Sequence, residues 1–316
     1  MRILANDGIP EEVKVALEEI GFEVKEVRVA HEQLVNYTKK NEIEVLLVQR
    51  GTLLDKNTID ELAHLKAVVF AGTQVNLETI DHLKSNGIKV IWAEEALANA
   101  TAEMVFAHLL TGCRLLQESN RNMPLEGDAS FKMLQESYGN GIELAGKTLG
   151  ILGMNKAGEL VAQKALALGM HVLYNDDSIE ELKGEYVLPN GIHFPVDLKS
   201  TDKHKVIHDA QFLTIHTRHF ERYLVDKEVL ENAHHLLGIV NCAYPEAINE
   251  VDLVDKINEE ALLFAGIDRF EEEPHPAIQV LMQPAFSLSP NVNASTDESK
   301  VLIWDEIFEK IQVLRK

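Results

Sequence analysis

Between residues 147 and 176 four local signals follow one another: an apolar run, a glycine-bearing turn, a helical repeat and a second apolar run. Lys147-Thr148-Leu149-Gly150-Ile151-Leu152 is of strand length, and Glu159 to Leu168 carries apolar residues at helical spacing. Gly169 interrupts the helix, and His171-Val172-Leu173-Tyr174 reads as a second strand. The unit is therefore β-α-β. Its turn places Gly153, Asn155 and Gly158 where a Gly-x-Gly-x-x-Gly loop carries three glycines. The first glycine of such a loop makes a tight turn, the second lets backbone approach a pyrophosphate, and the third allows close helix packing. Asp176 follows Gly158 by 18 residues, near the spacing at which an acid meets the adenosine ribose and favours NAD over NADP. A β-α-β unit that binds nothing has the same periodicity, so the loop alone leaves both readings open.

The rest of the chain repeats this alternation. Strand-like runs at Arg2-Ile3-Leu4-Ala5, Glu23 to Val27, Val45 to Val48, Ala67 to Phe70 and Lys89 to Trp92 are separated by helical stretches around Glu11 to Ile20 and His31 to Lys39. Such alternation predicts parallel sheets covered by helices. Ala98 to Leu116 reads as one long helix linking two domains, and a second series of strands lies near Leu149, Val172, Phe212, Gly238 and Leu263. Leu188-Pro189-Asn190-Gly191-Ile192-His193-Phe194 resembles a small surface hairpin, because Asn-Gly tolerates the positive φ of a tight turn. Asp297 to Val313 reads as an amphipathic helix.

The 316 residues exceed what one core usually organises, which suggests about two domains. A formal charge of −21 disfavours nucleic acid and anionic lipid, both of which reward clustered Lys and Arg. A small anionic ligand would therefore need a local cation. No apolar stretch approaches the about 18 residues that span a bilayer, and Met1 to Gly8 lacks a signal-peptide pattern. Cys113 and Cys242 show no metal-ligand spacing and imply no disulfide framework, as suits a reducing cytoplasm. His204, His208, His219, His234 and His235 stand without an H-E-x-x-H pair, so no metal site is expected.

Leu65-Lys66-Ala67-Val68, Thr101 to Leu110, Glu143 to Gly150, the loop, and Gly266-Ile267-Asp268-Arg269-Phe270-Glu271-Glu272-Glu273-Pro274 form a more specific set. In these motifs and their order the chain resembles the D-isomer-specific 2-hydroxyacid dehydrogenase family, most closely its short bacterial D-3-phosphoglycerate dehydrogenases. The resemblance implies an α/β fold of two doubly wound parallel-sheet domains. Residues 99–292 would form a Rossmann nucleotide domain, and residues 1–98 with 293–316 a flavodoxin-like substrate domain. It further implies an NAD cofactor, a small 2-hydroxy or 2-oxo acid substrate, a cytoplasmic location, a homodimer built through the nucleotide domains, and no regulatory domain after them.

Family chemistry needs a cation for the substrate carboxylate, a proton acceptor, and an acid that tunes the acceptor. The family arginine of Asn-x-Ala-Arg-Gly corresponds to Tyr244 in Asn241-Cys242-Ala243-Tyr244-Pro245, and a phenol presents no bidentate cationic fork. The family acid corresponds to Glu273, before Pro274. The family histidine after a proline corresponds to Asn291, after Pro290, and an amide takes no proton near neutral pH. On the substrate side, the resemblance points to Gly72, Thr73 and Gln74, with Asn76 beside them, and to Arg50 as the obvious cation of its loop.

On the cofactor side the resemblance assigns Gly153, Asn155, Lys156, Gly158, Asp176, His216, Cys242, Ala243 and Asp268. Asn155 is expected to tolerate a left-handed backbone and to offer its amide as a donor, and Lys156 to neutralise pyrophosphate. His216, at a strand end, reads equally well as a packing residue. Two functions follow from these residues. One is an NAD(H)-binding pseudoenzyme whose hydride transfer is lost or strongly weakened. The alternative is an active, divergent NAD-dependent oxidoreductase on a small 2-hydroxy or 2-oxo acid, with Glu273 and Tyr244 sharing acid/base duty or His219 or Glu221 replacing the base.

Overall fold

The computed structural model describes residues 1–49, 51–72, 77–187, 190–217 and 223–315. Two compact units emerge, one from residues 1–97 with 294–316 and one from residues 98–293. Both are α/β with a fully parallel main sheet, the doubly wound arrangement that the alternation predicts.

The first unit contains β1 (Arg2–Ala5), β2 (Glu23–Glu26), β3 (Val45–Val48), β4 (Ala67–Phe70) and β5 (Lys89–Trp92) in the order β2-β1-β3-β4-β5. Side chains alternate across a strand, so a sheet covered on both faces needs apolar residues at every position. Val45-Leu46-Leu47-Val48 meets that demand: Val45 and Leu47 pack with Ile303, Ile307 and Ile311 of the helix Asp297–Gln312, while Leu46 and Val48 join the opposite core with Leu34 and Ile59.

The second unit holds β6 (Thr148–Leu152), β7 (His171–Asn175), β10 (Phe212–Ile215), β11 (Gly238–Asn241), β12 (Phe264–Ile267) and β13 (Phe286–Leu288), ordered β13-β12-β11-β10-β6-β7. The same alternation splits Phe212 from Leu213 and Val240 from Ile239 between two cores. From β6 the chain runs first to β7 and then returns to β10 on the other side. That reversal opens a crevice at the carboxyl ends of β6 and β10, the usual ligand position in such sheets.

Three local expectations change. The long helix spans Glu94–Cys113, starting earlier than Ala98 because Glu94 and Glu95 serve its first turn and ending where Leu115 takes a φ of +54°. Beyond it come two helices not foreseen, Leu116–Glu126 and Phe131–Tyr138. The hairpin is larger than expected: β8 (Glu181–Val187) pairs antiparallel with β9 (His193–Lys199), from Glu181 opposite Lys199 to Val187 opposite His193. Leu188 and Pro189 lie outside the described residues.

Candidate active site

The chain leaves β6 and turns at Gly153, whose φ is +94° and whose Cβ would lie 2.5 Å from the Thr217 nitrogen; no larger residue fits there. A Cβ on Gly158 would come within 2.5 Å of the Gly153 oxygen, so this glycine lets the helix Lys156–Ala167 sit against the turn. Asn155 does not adopt the expected left-handed backbone. Its φ of −64° and ψ of −179° are extended, because Gly153 already makes the turn and Asn155 acts as the helix N-cap. Its Oδ1 accepts from the Gly158 N–H at 3.0 Å, and its Nδ2 donates to the His216 carbonyl at 2.8 Å. Lys156 pairs with Glu159 at 3.1 Å within the first helical turn.

Asp176, just past β7, ties this loop to its strand. One carboxylate oxygen accepts from the Met154 N–H at 2.7 Å, and the other from Ser178 and Ile179 at 2.8 and 2.9 Å. A carboxylate offers about four lone-pair sites, so these three bonds leave acceptor capacity. His216 is buried beneath the loop, 3.1 Å from the Thr214 hydroxyl, and burial pushes its imidazole down to about 4. It is neutral at pH 7 and packs the loop.

A second group assembles at the carboxyl ends of β11, β12 and β13. Asn241 gathers the turn after β11, donating to the Tyr244 carbonyl at 2.7 Å and accepting from the Ala243 N–H at 3.1 Å. Tyr244 is half-buried and packs against the adjoining core. Cys242 is buried, its thiol pushed well above the ordinary range by burial and by the Asp268 charge, and its carbonyl accepts from Asn293.

Asp268 is wholly buried after β12 and accepts from Ser289 Oγ at 2.5 Å and from the N–H groups of Val292 and Asn293 at 3.0 and 3.1 Å. Behind Ser289 stands His108 of the long helix, with Nε2 3.1 Å from Ser289 Oγ and Nδ1 2.8 Å from Ser287 Oγ. Because Ser289 donates to Asp268, its oxygen receives the His108 Nε2 proton and Nδ1 accepts from Ser287, which is a neutral imidazole. Burial lowers the His108 pKa accordingly, against a smaller opposing effect of Asp268.

The loop so fastened carries Asn291 at a φ of +53°. Its Nδ2 donates to Glu273 Oε2 at 2.7 Å. The other carboxylate oxygen of Glu273 accepts from Arg269 Nε at 3.0 Å and the Phe270 N–H at 3.1 Å, and Arg269 Nη1 donates to the Ala243 carbonyl at 3.3 Å. The structure thus brings together Glu273, Asn291 and the Ala243-Tyr244 backbone. It adds Arg269, His108, Ser289 and Asn293, which motif spacing did not single out. For Arg269 a signal existed, a lone cation inside Asp-Arg-Phe-Glu-Glu-Glu.

In the first unit Gly72 lies just beyond β4, where Ala71 donates to the Val48 carbonyl at 2.9 Å. Arg50, Thr73, Gln74, Asn76, His219 and Glu221 lie outside the described residues. Arg28 is a cation at this sheet edge, ion-paired with Asp7, whose other oxygen accepts from the Gln49 N–H at 2.7 Å. Among the described residues no cluster of three or more His, Cys, Asp or Glu side chains is arranged to hold a metal ion. No helix among them is long and apolar enough to cross a membrane.

A glycine turn opening a helix at a sheet's reversal point, with an acid at the end of the next strand, defines a dinucleotide-binding α/β protein. Residues 106–292 match the family described as D-isomer specific 2-hydroxyacid dehydrogenase, NAD binding domain, and the chain belongs to that family. It is 28% identical over 318 residues to the D-3-phosphoglycerate dehydrogenase of Methanocaldococcus jannaschii, covering 100% of this chain and 58% of the relative. It is 27% identical over 317 residues to the hydroxypyruvate reductase of Thermotoga maritima, covering 98% and 97%. The chain spans about half the length of the D-3-phosphoglycerate dehydrogenases it matches, 58% of the archaeal one and 49% of that from Bacillus subtilis. Its fold is shared with a glyoxylate reductase from Paecilomyes thermophila at a TM-score of 0.78 and 19% identity, over 98% of this chain and 94% of that one.

Proposed function

We propose that the protein binds NAD(H) through the turn at Gly153, the N-terminus of the helix Lys156–Ala167 and Asp176, and has lost or strongly weakened its family's hydride transfer. The loop fits a dinucleotide site in two respects: Gly153 keeps the tight turn and Gly158 the close helix packing, while Asn155, in the place of the approach glycine, folds its side chain back onto its own helix and the His216 carbonyl. Bound there, the nicotinamide would supply or accept the hydride. The proton must come from the chain, and the observation that carries the proposal is the 2.7 Å bond by which Asn291 donates to Glu273. An amide in the acceptor's place positions the acid but exchanges no proton, and a missing general base costs roughly 10²–10⁴-fold in rate.

The ligand that this reading supports is a small 2-hydroxy or 2-oxo acid, in a cytoplasmic setting. A homodimer is supported by the helices Leu116–Glu126 and Phe131–Tyr138, which expose Leu125 at 80% and Phe131 at 58% together with Leu116, Met123 and Met133. The decisive experiment pairs NADH binding, followed by fluorescence, with NADH consumption in the presence of hydroxypyruvate or 3-phosphohydroxypyruvate. Binding without consumption is expected. Turnover at ordinary dehydrogenase rates would instead establish the divergent oxidoreductase, and absence of binding would remove the nucleotide from the reading altogether.

A further inference from the structure

We propose that Arg269 is the anion-binding residue of this site, its guanidinium taking the carboxylate of a small 2-oxo or 2-hydroxy acid where Tyr244 has no charge to offer. The inference rests on the reading that the site still receives such an acid. Two bonds converge to hold the guanidinium: Nη1 reaches the carbonyl of Ala243, the residue before Tyr244, and Nε reaches Glu273 Oε1. A cation is thereby supplied from the loop after β12 to the backbone turn after β11.

These two bonds use two of the five N–H donors of a guanidinium, and the remaining ones suit the two parallel contacts that a carboxylate accepts. The side chain is 20% exposed, enough to meet a ligand while most of it is shielded from water, where a charge-assisted bond is stronger. In a chain of net charge −21, with Glu271, Glu272 and Glu273 adjacent, an anion needs such a local cation. The competing account makes Arg269 a neutralising partner for Glu273 and nothing more.

The two accounts separate when the full chain, saturated with NADH, is titrated calorimetrically with oxamate. Arg269→Met should weaken oxamate binding by roughly tenfold or more, since bonds to charged groups are the strong ones. Arg269→Lys should restore part of the affinity, and Glu273→Gln should tighten it, because the carboxylate competing for the guanidinium is gone. NADH affinity should be unchanged in all three, which also reports that each variant is folded. Wild-type oxamate affinity in Arg269→Met would overturn the proposal, as would losses of similar size in Arg269→Met and Glu273→Gln, the signature of a structural ion pair. Failure of the wild type to bind oxamate overturns it equally. If the wild type does not bind NADH, the cofactor reading falls, and the same series without NADH still decides the role of Arg269.

Discussion

Asn291 Nδ2 donates to Glu273 Oε2 at 2.7 Å, so an amide and a carboxylate form a hydrogen-bonded pair between the loops after β12 and β13. Under the proposed function this pair keeps the geometry of an acid and its partner, with an amide that exchanges no proton near neutral pH.

Restoring both missing groups should therefore restore chemistry. The double variant Asn291→His with Tyr244→Arg is expected to reduce hydroxypyruvate with NADH at least about 100-fold faster than the wild type, the lower range for a positioned general base. Steady-state loss of NADH absorbance checks this. A double variant as slow as the parent would mean that other parts of the site have also diverged.

Asn155→Gly should trade stability for affinity. The substitution removes the cap on the Gly158 N–H and the bond to the His216 carbonyl, a loss of about 1 kcal/mol seen as a lower urea midpoint. It also exposes an N–H donor at the helix start and removes a side chain beside it, so NADH should bind more tightly in a fluorescence titration. Weaker binding would show that the Asn155 amide itself contributes.

Ser289→Ala should destabilise the loop that carries Asn291. The change takes a donor from the buried Asp268 carboxylate and a partner from His108, a cost of about 1–3 kcal/mol by urea unfolding. A change under about 0.5 kcal/mol would mean that the chain from His108 to Asp268 does not brace the loop.

Acid should weaken the fold through His216. Its folded pKa is about 4 against 6.5 in an unfolded chain, so between these values the unfolded state holds a proton that the folded state lacks. Stability on this account is full above about pH 6.5 and declines by about 3 kcal/mol as the pH falls toward 4. His108, lowered in the same direction, adds to the effect. Comparing His216→Gln with the wild type at neutral pH and at about pH 5 isolates the contribution: the variant should lose less stability on acidification.

The main sheets were legible because fully buried parallel strands read as short continuous apolar runs, as in Val45 to Val48 and Phe212 to Ile215. β13 was not, since Phe286-Ser287-Leu288 is three residues long and its serine faces His108 from far along the chain. The helix Leu116–Glu126 was hidden by the internal Pro124 and by the absence of any buried residue to set a period. Glu273 and Asn291 stood out in the sequence through the prolines beside them, and the structure joins the two by a hydrogen bond. The brace from His108 through Ser289 to Asp268 joins residues 181 apart in sequence, and only tertiary packing brings such groups together.

The left-handed backbone at Asn291 has a further consequence, for the protein's evolution. Asn and His are both enriched among non-glycine residues with positive φ, so the backbone conformation at this position suits either residue. Their codons differ in one base, whereas those for Tyr and Arg differ in at least two. Under the proposed function, a lineage carrying this chain therefore stands one mutational step from a proton acceptor at position 291, and further from an arginine at position 244.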